Sequence, residues 1–311
     1  MSHGRHRGTT PVALGAFFVG ALCARSAAAF LKDHPPGGRE RWIRMNHAGR
    51  PVTLLEGPSY AVGALAGAMV GGAGASAAVA ALGAGGFGAL DDLVGDSSSK
   101  GLRGHLASAR RGEVTTGVIK IAGLGLTGLL AAWIVDRPRE RARPILTEPK
   151  ATGPRPTERK LTGPMGTLVG GAVIAGSANV ANLLDLRPGR ALKAVVLLAV
   201  PIVAAGRGTQ LSAATAGAAA GAAMGAIHDD LVGRSMLGDT GANSAGALLG
   251  TALVARTAMP GRLLALAVLT ALTLASEKVS FTAVIESTPG LRELDALGRP
   301  SPTATRSSAT Q

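Results

Sequence analysis

Charged and aromatic residues are scarce in this chain. Only 16% of its 311 residues are charged and 3% are aromatic, whereas 47% are hydrophobic. A soluble domain usually has about a quarter of its residues charged. Long stretches without any charge therefore exclude a compact water-soluble domain. The single cysteine, Cys23, excludes both a disulfide framework and a cysteine-based zinc site within the chain.

The charges that remain are mostly basic, and the formal net charge is +13. In a soluble protein this surplus would suggest a nucleic-acid partner, but no basic patch is interleaved with aromatic residues. In a membrane protein, basic loops more often lie near anionic lipid headgroups. We therefore expect a membrane as partner and no nucleic acid.

Aliphatic runs close to the roughly 20-residue length of a membrane span recur along the chain. They predict an all-α fold, a polytopic integral membrane helical bundle of about 9–10 transmembrane helices. We expect one domain over residues 1–298, with a flexible basic loop at 136–163 and a disordered tail at 299–311. The stretch 58–90 is too long for one span and predicts a tight hairpin of two helices. The predicted segments are 10–31, 58–75, 76–90, 114–135, 165–184, 191–206, 211–228, 240–257 and 262–281.

Many of the 45 glycines recur at a spacing of four residues, as in Gly63, Gly67 and Gly71. A second set follows the same spacing: Gly217, Gly221 and Gly225. This spacing lines one helix face with small residues, so that neighbouring backbones can approach closely. The pattern predicts tight helix packing and no direct chemical role for these glycines.

Short polar segments interrupt the apolar runs, and counting crossings puts most of them on one side of the bilayer. These are 32–57, 91–113, 183–193, 229–239 and the tail from 277. Lys and Arg are slightly more numerous on this side, which favours the cytoplasmic face. The basic 136–163 loop and the N-terminal arginines oppose that orientation. The N-terminus resembles a cleavable signal peptide, although we favour a retained first helix.

The first polar segment with a chemical signal follows the third apolar run. Asp91 and Asp92 stand directly after it, and Lys100 and His105 follow in the next loop. Placing a carboxylate in or near a bilayer costs free energy, and such residues often have a function. With water and a substrate phosphate they suit Mg²⁺, and a nearby lysine can hold a phosphate. The alternative is a solvated helix end with ordinary loop charges.

Two later segments add amides and further carboxylates. Asn179 and Asn182 share a helix face that Asp185 continues, and they could contact a base or sugar hydroxyls. The alternative is that the amides join helices by hydrogen bonds within the membrane. In the last segment Asp239 lies in a Gly-Asp-Thr-Gly turn, where backbone N–H groups at a helix start can face an anion. A plain turn with a helix cap would also explain this aspartate.

Taken together, the three segments resemble the motifs of the polyprenyl-phosphate sugar-1-phosphate transferases, which include phospho-N-acetylmuramoyl-pentapeptide transferase. Asp91-Asp92 with Lys100 looks like the aspartate pair and following lysine of that family. Asn179 to Asp185 looks like its Asn-rich loop, and residues 236–241 look like its Gly-Asp-Thr-Gly loop. The resemblance runs from about Asn46 to Asn243 and implies a helical bundle with a cytoplasmic active site.

The resemblance implies Mg²⁺-dependent transfer of a sugar-1-phosphate from a nucleotide-sugar to polyprenyl phosphate, in the synthesis of bacterial envelope polysaccharide or peptidoglycan precursors. It also implies a location in the bacterial cytoplasmic membrane. A homodimer is one further expectation. The predicted catalytic residues are Asp91, Asp92 and Lys100; the predicted substrate-binding residues are Asn179, Asn182, Asp185, Arg187 and His105; and the predicted Mg²⁺ ligands are Asp239 and Asp91.

The chain departs from the family pattern in two places. Leu186 to Arg190 replace the second aspartate of the Asn-rich loop, and the late histidine cluster is absent; residues 276–299 stand there instead. These departures favour a second hypothesis, a catalytically inactive relative that binds a lipid-linked precursor and acts as a scaffold. A transporter is a third hypothesis, although its charges would be expected at the midplane and not at helix ends.

Overall fold

In a computed structural model of the chain, residues 9–46, 48–94, 115–137, 163–204 and 208–300 are described. These residues form eleven α-helices, a 3₁₀ helix at Arg39–Trp42 and a two-stranded antiparallel sheet, in which Arg44 lies opposite Val52. The long helices are α1 (Thr9–Asp33), α2 (Glu56–Val70), α3 (Ala75–Val94), α4 (Thr116–Asp136), α5 (Pro164–Leu184), α6 (Arg190–Ala204), α7 (Gln210–Leu231), α8 (Gly238–Arg256) and α9 (Met259–Ser276). The short elements are β1 (Ile43–Met45), β2 (Pro51–Thr53), α10 (Phe281–Ser287) and α11 (Leu291–Ala296).

The nine long helices coincide with the nine predicted apolar segments, which confirms the all-α bundle. The predicted hairpin at 58–90 is also confirmed, because α2 ends at Val70 and α3 begins at Ala75. Between them Gly72 (φ 77°) and Gly74 (φ 71°) adopt left-handed backbone conformations. L side chains are disfavoured there, so these glycines allow the sharp reversal.

Five of the described helices, α1, α3, α4, α5 and α9, are long and apolar enough to cross a membrane. α7 and α8 are not among them, since they consist largely of Ala and Gly with buried polar residues such as Ser212 and Asn243. Both helices are almost entirely buried by their neighbours. The bundle thus has an inner pair of small-residue helices and an apolar outer layer compatible with a multi-pass membrane protein. α2 and α6 are shorter, at 15 residues each.

The spaced glycines allow α7 to pack directly on backbone, as predicted. α7 packs against α1, α2, α6 and α8, and α8 also contacts α3 and α5. A Cβ on any of the three spaced glycines of α7 would clash with a backbone carbonyl of α1. Gly217 faces Ala13, Gly221 faces Phe17 and Gly225 faces Ala21. The two helices are therefore in contact along three turns with nothing larger than hydrogen between their backbones.

α3, α5 and α7 end, and α2, α4, α6 and α8 begin, at the same end of the bundle, which we term the polar end. Contacts across the chain establish this. Arg44, in β1, donates to the carbonyl oxygen of Asp92 at the end of α3. The Gly238 N–H at the start of α8 donates to Asp185 at the end of α5 (2.9 Å). The prediction that the polar segments share one end is thereby confirmed for the described residues.

A buried ion pair closes the opposite end of the bundle. Arg262 of α9 is 1% exposed and donates through Nη2 to Asp136 Oδ1 (2.6 Å) at the end of α4. It also donates to the carbonyl oxygens of Gly166 in α5 and Val254 in α8. One guanidinium therefore joins four helices. The flexible loop was predicted to begin at Asp136. Asp136 and Arg137 are described, whereas residues 138–162 lie outside the described part of the chain.

The C-terminal segment folds back over the polar end. Arg190, at the start of α6, donates to both carboxylate oxygens of Asp295 in α11 (2.8 and 3.0 Å), and Arg299 adds a third bond (2.9 Å). Lys193 donates to carbonyl oxygens at the end of α11. A cation at the C-terminal end of a helix also interacts favourably with the helix dipole. Sequence reasoning gave no role to residues 276–299; in the structure they are fastened to α6. Of the predicted tail, residues 301–311 lie outside the described residues.

Gly221→Ala is expected to destabilise the protein by about 1–3 kcal/mol, because the added methyl group would overlap the α1 backbone. The matched control is Gly125→Ala in the middle of α4, where a Cβ meets nothing within 4 Å. The control should unfold at the same temperature as the wild type or slightly higher. Thermal unfolding of both variants in detergent measures the difference. Equal midpoints would contradict the close α1–α7 contact.

The attachment of α11 should weaken in acid. Burial raises the pKa of Asp295, but hydrogen bonds from Arg190 and Arg299 outweigh it, so the pKa lies below its ordinary value. A carboxyl with a lowered pKa stabilises the fold above its unfolded-state pKa of about 3.9, and the contribution is lost as pH falls further. The protection of the amides in residues 281–297 against hydrogen exchange, taken relative to the intrinsic exchange rate at each pH, should therefore fall at low pH.

Asp295→Asn should produce rapid exchange in this segment already at neutral pH and remove most of its acid dependence. Glu293→Gln is the matched control, because Glu293 is an exposed acid on the same short helix. An unchanged exchange rate in Asp295→Asn would show that the ion pair does not hold the segment.

Candidate functional site

Carboxylates from two other helices cap the start of α8. Asp92, in the last turn of α3, accepts the Asp239 N–H (3.0 Å), the Thr240 N–H (2.9 Å) and the Thr240 hydroxyl (2.6 Å). Asp185 accepts the Gly238 N–H. The first N–H groups of a helix have no partner within it and attract negative charge. The anions that the Gly-Asp-Thr-Gly turn was predicted to face are thus, in this structure, side chains of the protein.

Glycines make room for this cap. A Cβ on Gly88 of α3 would overlap the Asp239 backbone, so the glycine lets α3 approach α8 closely. Gly238 has φ 63°, and a Cβ there would lie 3.1 Å from both carboxylate oxygens of Asp92. The two positions bring the end of α3 within hydrogen-bonding distance of the α8 backbone and turn the Asp239 side chain away from it.

The Asp239 side chain meets Asp91 and a lysine from a third helix. Lys120 Nζ in α4 lies 3.4 Å from Asp91 Oδ2 and contacts Asp239 Oδ2. The two carboxylates lie within hydrogen-bonding reach of each other. The side chains are 24% (Asp91), 21% (Asp239) and 14% (Lys120) exposed, so solvent reaches the group. We call Asp91, Lys120 and Asp239 the acid–lysine cluster.

Lys120 is the residue that sequence reasoning missed. It lies within the predicted apolar segment 114–135, and no chemical role was predicted for it. The signal was present, because a lone cation within a candidate membrane span is costly and usually has a functional partner. Its position, four residues after the start of α4, places it at the polar end beside α3 and α8.

A second acidic group lies behind the cap. Glu56, at the start of α2, is 4% exposed and accepts a hydrogen bond from the Ser235 hydroxyl through Oε2. Its Oε1 is buried without a partner among the described residues. Asp230 accepts the Gly189 N–H (2.8 Å). Desolvation raises the pKa of the nearby Asp185 well above its ordinary value; the charge of Asp230 adds to the rise, and the Gly238 N–H opposes it.

The remaining predicted site residues have different surroundings. Asn179 donates to the Thr273 hydroxyl of α9 (3.1 Å), which matches the alternative of an amide that joins helices. The Asn182 carbonyl oxygen accepts the Asp185 N–H, and its side chain is partly buried. Arg187 pairs with Glu286 of α10 (3.1 Å). The predicted residues Lys100 and His105 lie outside the described residues.

The donor set at the acid–lysine cluster is compatible with Mg²⁺ of the kind that keeps several waters. Such an ion is held by one or two carboxylates together with substrate phosphates, and Asp91 and Asp239 supply two carboxylates. Across the described part of the chain, no group of three or more His, Cys, Asp or Glu side chains is arranged to hold a metal. A metal held by the protein alone is therefore not indicated here, whereas one completed by substrate oxygens fits.

A cavity of about 140 Å³ adjoins the cap. It is lined by Asn46, Asp185, Arg187 and Asp230, among others. Asp185 connects it to the acid–lysine cluster, because this side chain binds Gly238, the residue before Asp239. Carboxylate and amide groups on this wall can accept hydrogen bonds from hydroxyl and amide groups of a ligand, and the amide can also donate them. The cavity and the cap thus share Asp185.

Searches of protein-family models and of curated protein sequences find no match to this chain.

Asp92→Ala should lower the stability of the protein by about 1–3 kcal/mol, because two N–H groups and one hydroxyl at the start of α8 lose their acceptor. The control Asp229→Ala removes an exposed ion pair with Arg234 and should change stability little. Thermal unfolding in detergent gives both values. A stable Asp92→Ala protein with fully protected α8 amides would refute the capping role.

Proposed function

We propose that the protein transfers a sugar-1-phosphate from a nucleotide-sugar to polyprenyl phosphate with the help of Mg²⁺. The observation that carries the proposal is the acid–lysine cluster: two carboxylates and a lysine, from three helices, meet at a solvent-accessible helix end, close to a cavity that Asp185 and Asp230 help to line. This combination of groups suits a phosphoryl centre, where anionic oxygens need cations and a metal needs carboxylates.

The reaction forms one P–O bond and breaks another. An oxygen of the lipid phosphate attacks the sugar-proximal phosphorus of the nucleotide-sugar, and nucleoside monophosphate leaves with the electrons of the broken bond. Asp91 Oδ2 would accept a proton from the lipid phosphate where one is still bound. Lys120 would move from the carboxylates to the phosphate oxygens and neutralise the charge that develops on them.

The remaining groups bind and orient. Asp239 and Asp91 would hold Mg²⁺, whose contribution when bound is to neutralise the diphosphate. Asp92 would fix the Asp239 backbone, so its role is positioning and not contact with substrate. Asp185 and Arg187 would face the nucleotide-sugar from the adjoining cavity, and Asn182 is retained as a predicted substrate contact. Lys100 and His105, which lie between α3 and α4 in the sequence, are retained as predicted substrate contacts.

The proposed reaction also requires that the site lie at a particular depth relative to the membrane. Nucleotide-sugars are water-soluble and polyprenyl phosphate is confined to the bilayer, so the site has to lie at the boundary between them. The polar end at the termini of apolar helices meets this requirement. We propose the cytoplasmic face of a bacterial membrane, as the resemblance of the motifs suggests.

A second candidate function is a catalytically inactive protein that binds a lipid-linked precursor. One observation favours it: Lys120 pairs with both carboxylates, so the cluster already contains a cation without a metal. In addition, Arg190 replaces part of the family pattern, and it holds the C-terminal segment. Retention of lipid binding without turnover would separate this candidate from the transferase.

The decisive measurement is release of nucleoside monophosphate by the purified protein with undecaprenyl phosphate, Mg²⁺ and a panel of nucleotide-sugars. Asp239→Ala and Lys120→Met should each lower turnover by roughly 10²–10³-fold, the usual effect of removing a group that stabilises transition-state charge. Asp229→Ala, an exposed acid at the same end of the bundle, should retain wild-type turnover.

Absence of product across the panel in a folded wild-type protein that still binds the lipid would support the inactive relative. Equal turnover in Asp239→Ala and wild type would reject the acid–lysine cluster as the site.

A further inference from the structure

A second cavity at the polar end, of about 330 Å³, is lined by arginines. It lies between the turn that follows α5, the turn that follows α7 and the last described residues of the chain. Arg187 and Pro188 form one wall, Leu231 to Gly233 form another, and Arg50 and Arg299 complete it. Its volume is at the lower end of the range of small-molecule sites, roughly 300–1,000 Å³.

The charge on this lining is strongly positive. Arg50, Arg187 and Arg299 face a single carboxylate, that of Glu286. Arg50 Nη2 lies 3.6 Å from the position a Cβ of Gly233 would occupy, which places its guanidinium group at the turn after α7. Among the ion pairs of the described residues, none includes Arg50. Arg299 is also paired with Asp295, so the surplus positive charge comes from Arg50 and Arg187, and with Glu286 as their weakly held counter-ion they form a site for an anionic ligand.

The three arginines differ in how firmly they are held. Arg299 is fixed, because Nε donates to the Pro188 carbonyl oxygen (2.9 Å) and Nη2 to Asp295 (2.9 Å). Within the described part of the chain, Arg187 pairs with Glu286, whose side chain is 53% exposed. Such an exposed pair is weak and readily exchanged. One arginine therefore positions the site, while two others are free to turn towards a ligand.

We propose that this arginine-lined cavity binds a phosphoryl group. Guanidinium groups bind tetrahedral oxyanions through paired N–H donors, and three of them on one cavity favour a group with several charged oxygens over a single carboxylate. Glu286 acts as the resident counter-ion that the ligand displaces from Arg187. The site is separate from the acid–lysine cluster and does not depend on the proposed transfer reaction.

The phosphoryl group has two possible sources, a soluble phosphate ester or the headgroup of an anionic lipid. The neighbouring 140 Å³ cavity shares Arg187, Pro188 and Gly233 with this one and continues to Asp185. A ligand anchored by its phosphate at the arginines could therefore extend hydroxyl or amine groups towards the carboxylates. The two sources differ in whether the ligand comes from water or from the bilayer.

The test uses the full-length protein in nanodiscs of phosphatidylcholine, with inorganic pyrophosphate as the probe and no Mg²⁺, followed by isothermal titration calorimetry. The wild type should bind saturably. Arg187→Gln and Arg50→Gln should each weaken binding by roughly tenfold, the effect of losing one charge-assisted contact. Glu286→Gln should tighten binding several-fold, because it removes the competing anion. A gain of affinity cannot result from misfolding.

Arg292→Gln is the matched control, since Arg292 is an exposed arginine on the same C-terminal segment and does not line the cavity. Its affinity for pyrophosphate should equal that of the wild type. In nanodiscs that contain phosphatidylglycerol, weaker pyrophosphate binding by the wild type, and not by the Arg50/Arg187 double variant, would assign the site to a lipid headgroup. Unchanged binding would assign it to a soluble phosphate. No saturable binding in either nanodisc, or equal losses in Arg292→Gln and Arg187→Gln, would overturn the proposal.

Discussion

The start of α8 is the point on which the rest of the polar end depends. Its unpaired N–H groups need acceptors, and two carboxylates from α3 and α5 supply them. That single requirement fixes the relative positions of three helices. It also sets the direction of the Asp239 side chain, which projects away from the capped backbone towards Lys120. The acid–lysine cluster is therefore a geometric consequence of how one buried helix satisfies its own backbone.

The architecture could be read from the sequence to a large extent, because membrane-length apolar runs and four-residue glycine spacing are local patterns. The nine segments, the hairpin within 58–90 and close packing at the spaced glycines all follow from them, whereas the identity of α1 as the partner of α7 does not. The roles of individual carboxylates could not be read in the same way. Asp92 bonds only to backbone N–H groups and a hydroxyl of α8, whereas Asp91, its neighbour, faces a lysine. In sequence the two aspartates look identical, because their partners lie far along the chain.

The charged side chains at the two ends of the bundle differ in burial and in pairing. At the far end Arg262 and Asp136 are paired in full burial, with side chains 1% and 6% exposed, and they hold helices together. At the polar end the Arg190–Asp295 pair is also buried, but the acid–lysine cluster is partly exposed, and arginines outnumber acids around the larger cavity. Buried pairs contribute mainly by avoiding an unpaired charge, while exposed groups remain free to exchange partners. The far end is therefore structural, whereas the polar end is suited to ligand binding.

The pair between Asp136 and Arg262 also constrains the order of assembly. The two residues are 126 positions apart, and five long helices (α4 to α8) end or lie between them. During synthesis the carboxylate emerges first and has to wait for its counter-ion until the beginning of α9 has left the ribosome. Until then, the carboxylate at the end of α4 lacks the guanidinium with which it is buried in the finished fold. Closure of that end is consequently a late event in biogenesis, and a nascent chain that stops short of α9 would expose an unsealed bundle to the quality-control machinery of the cell.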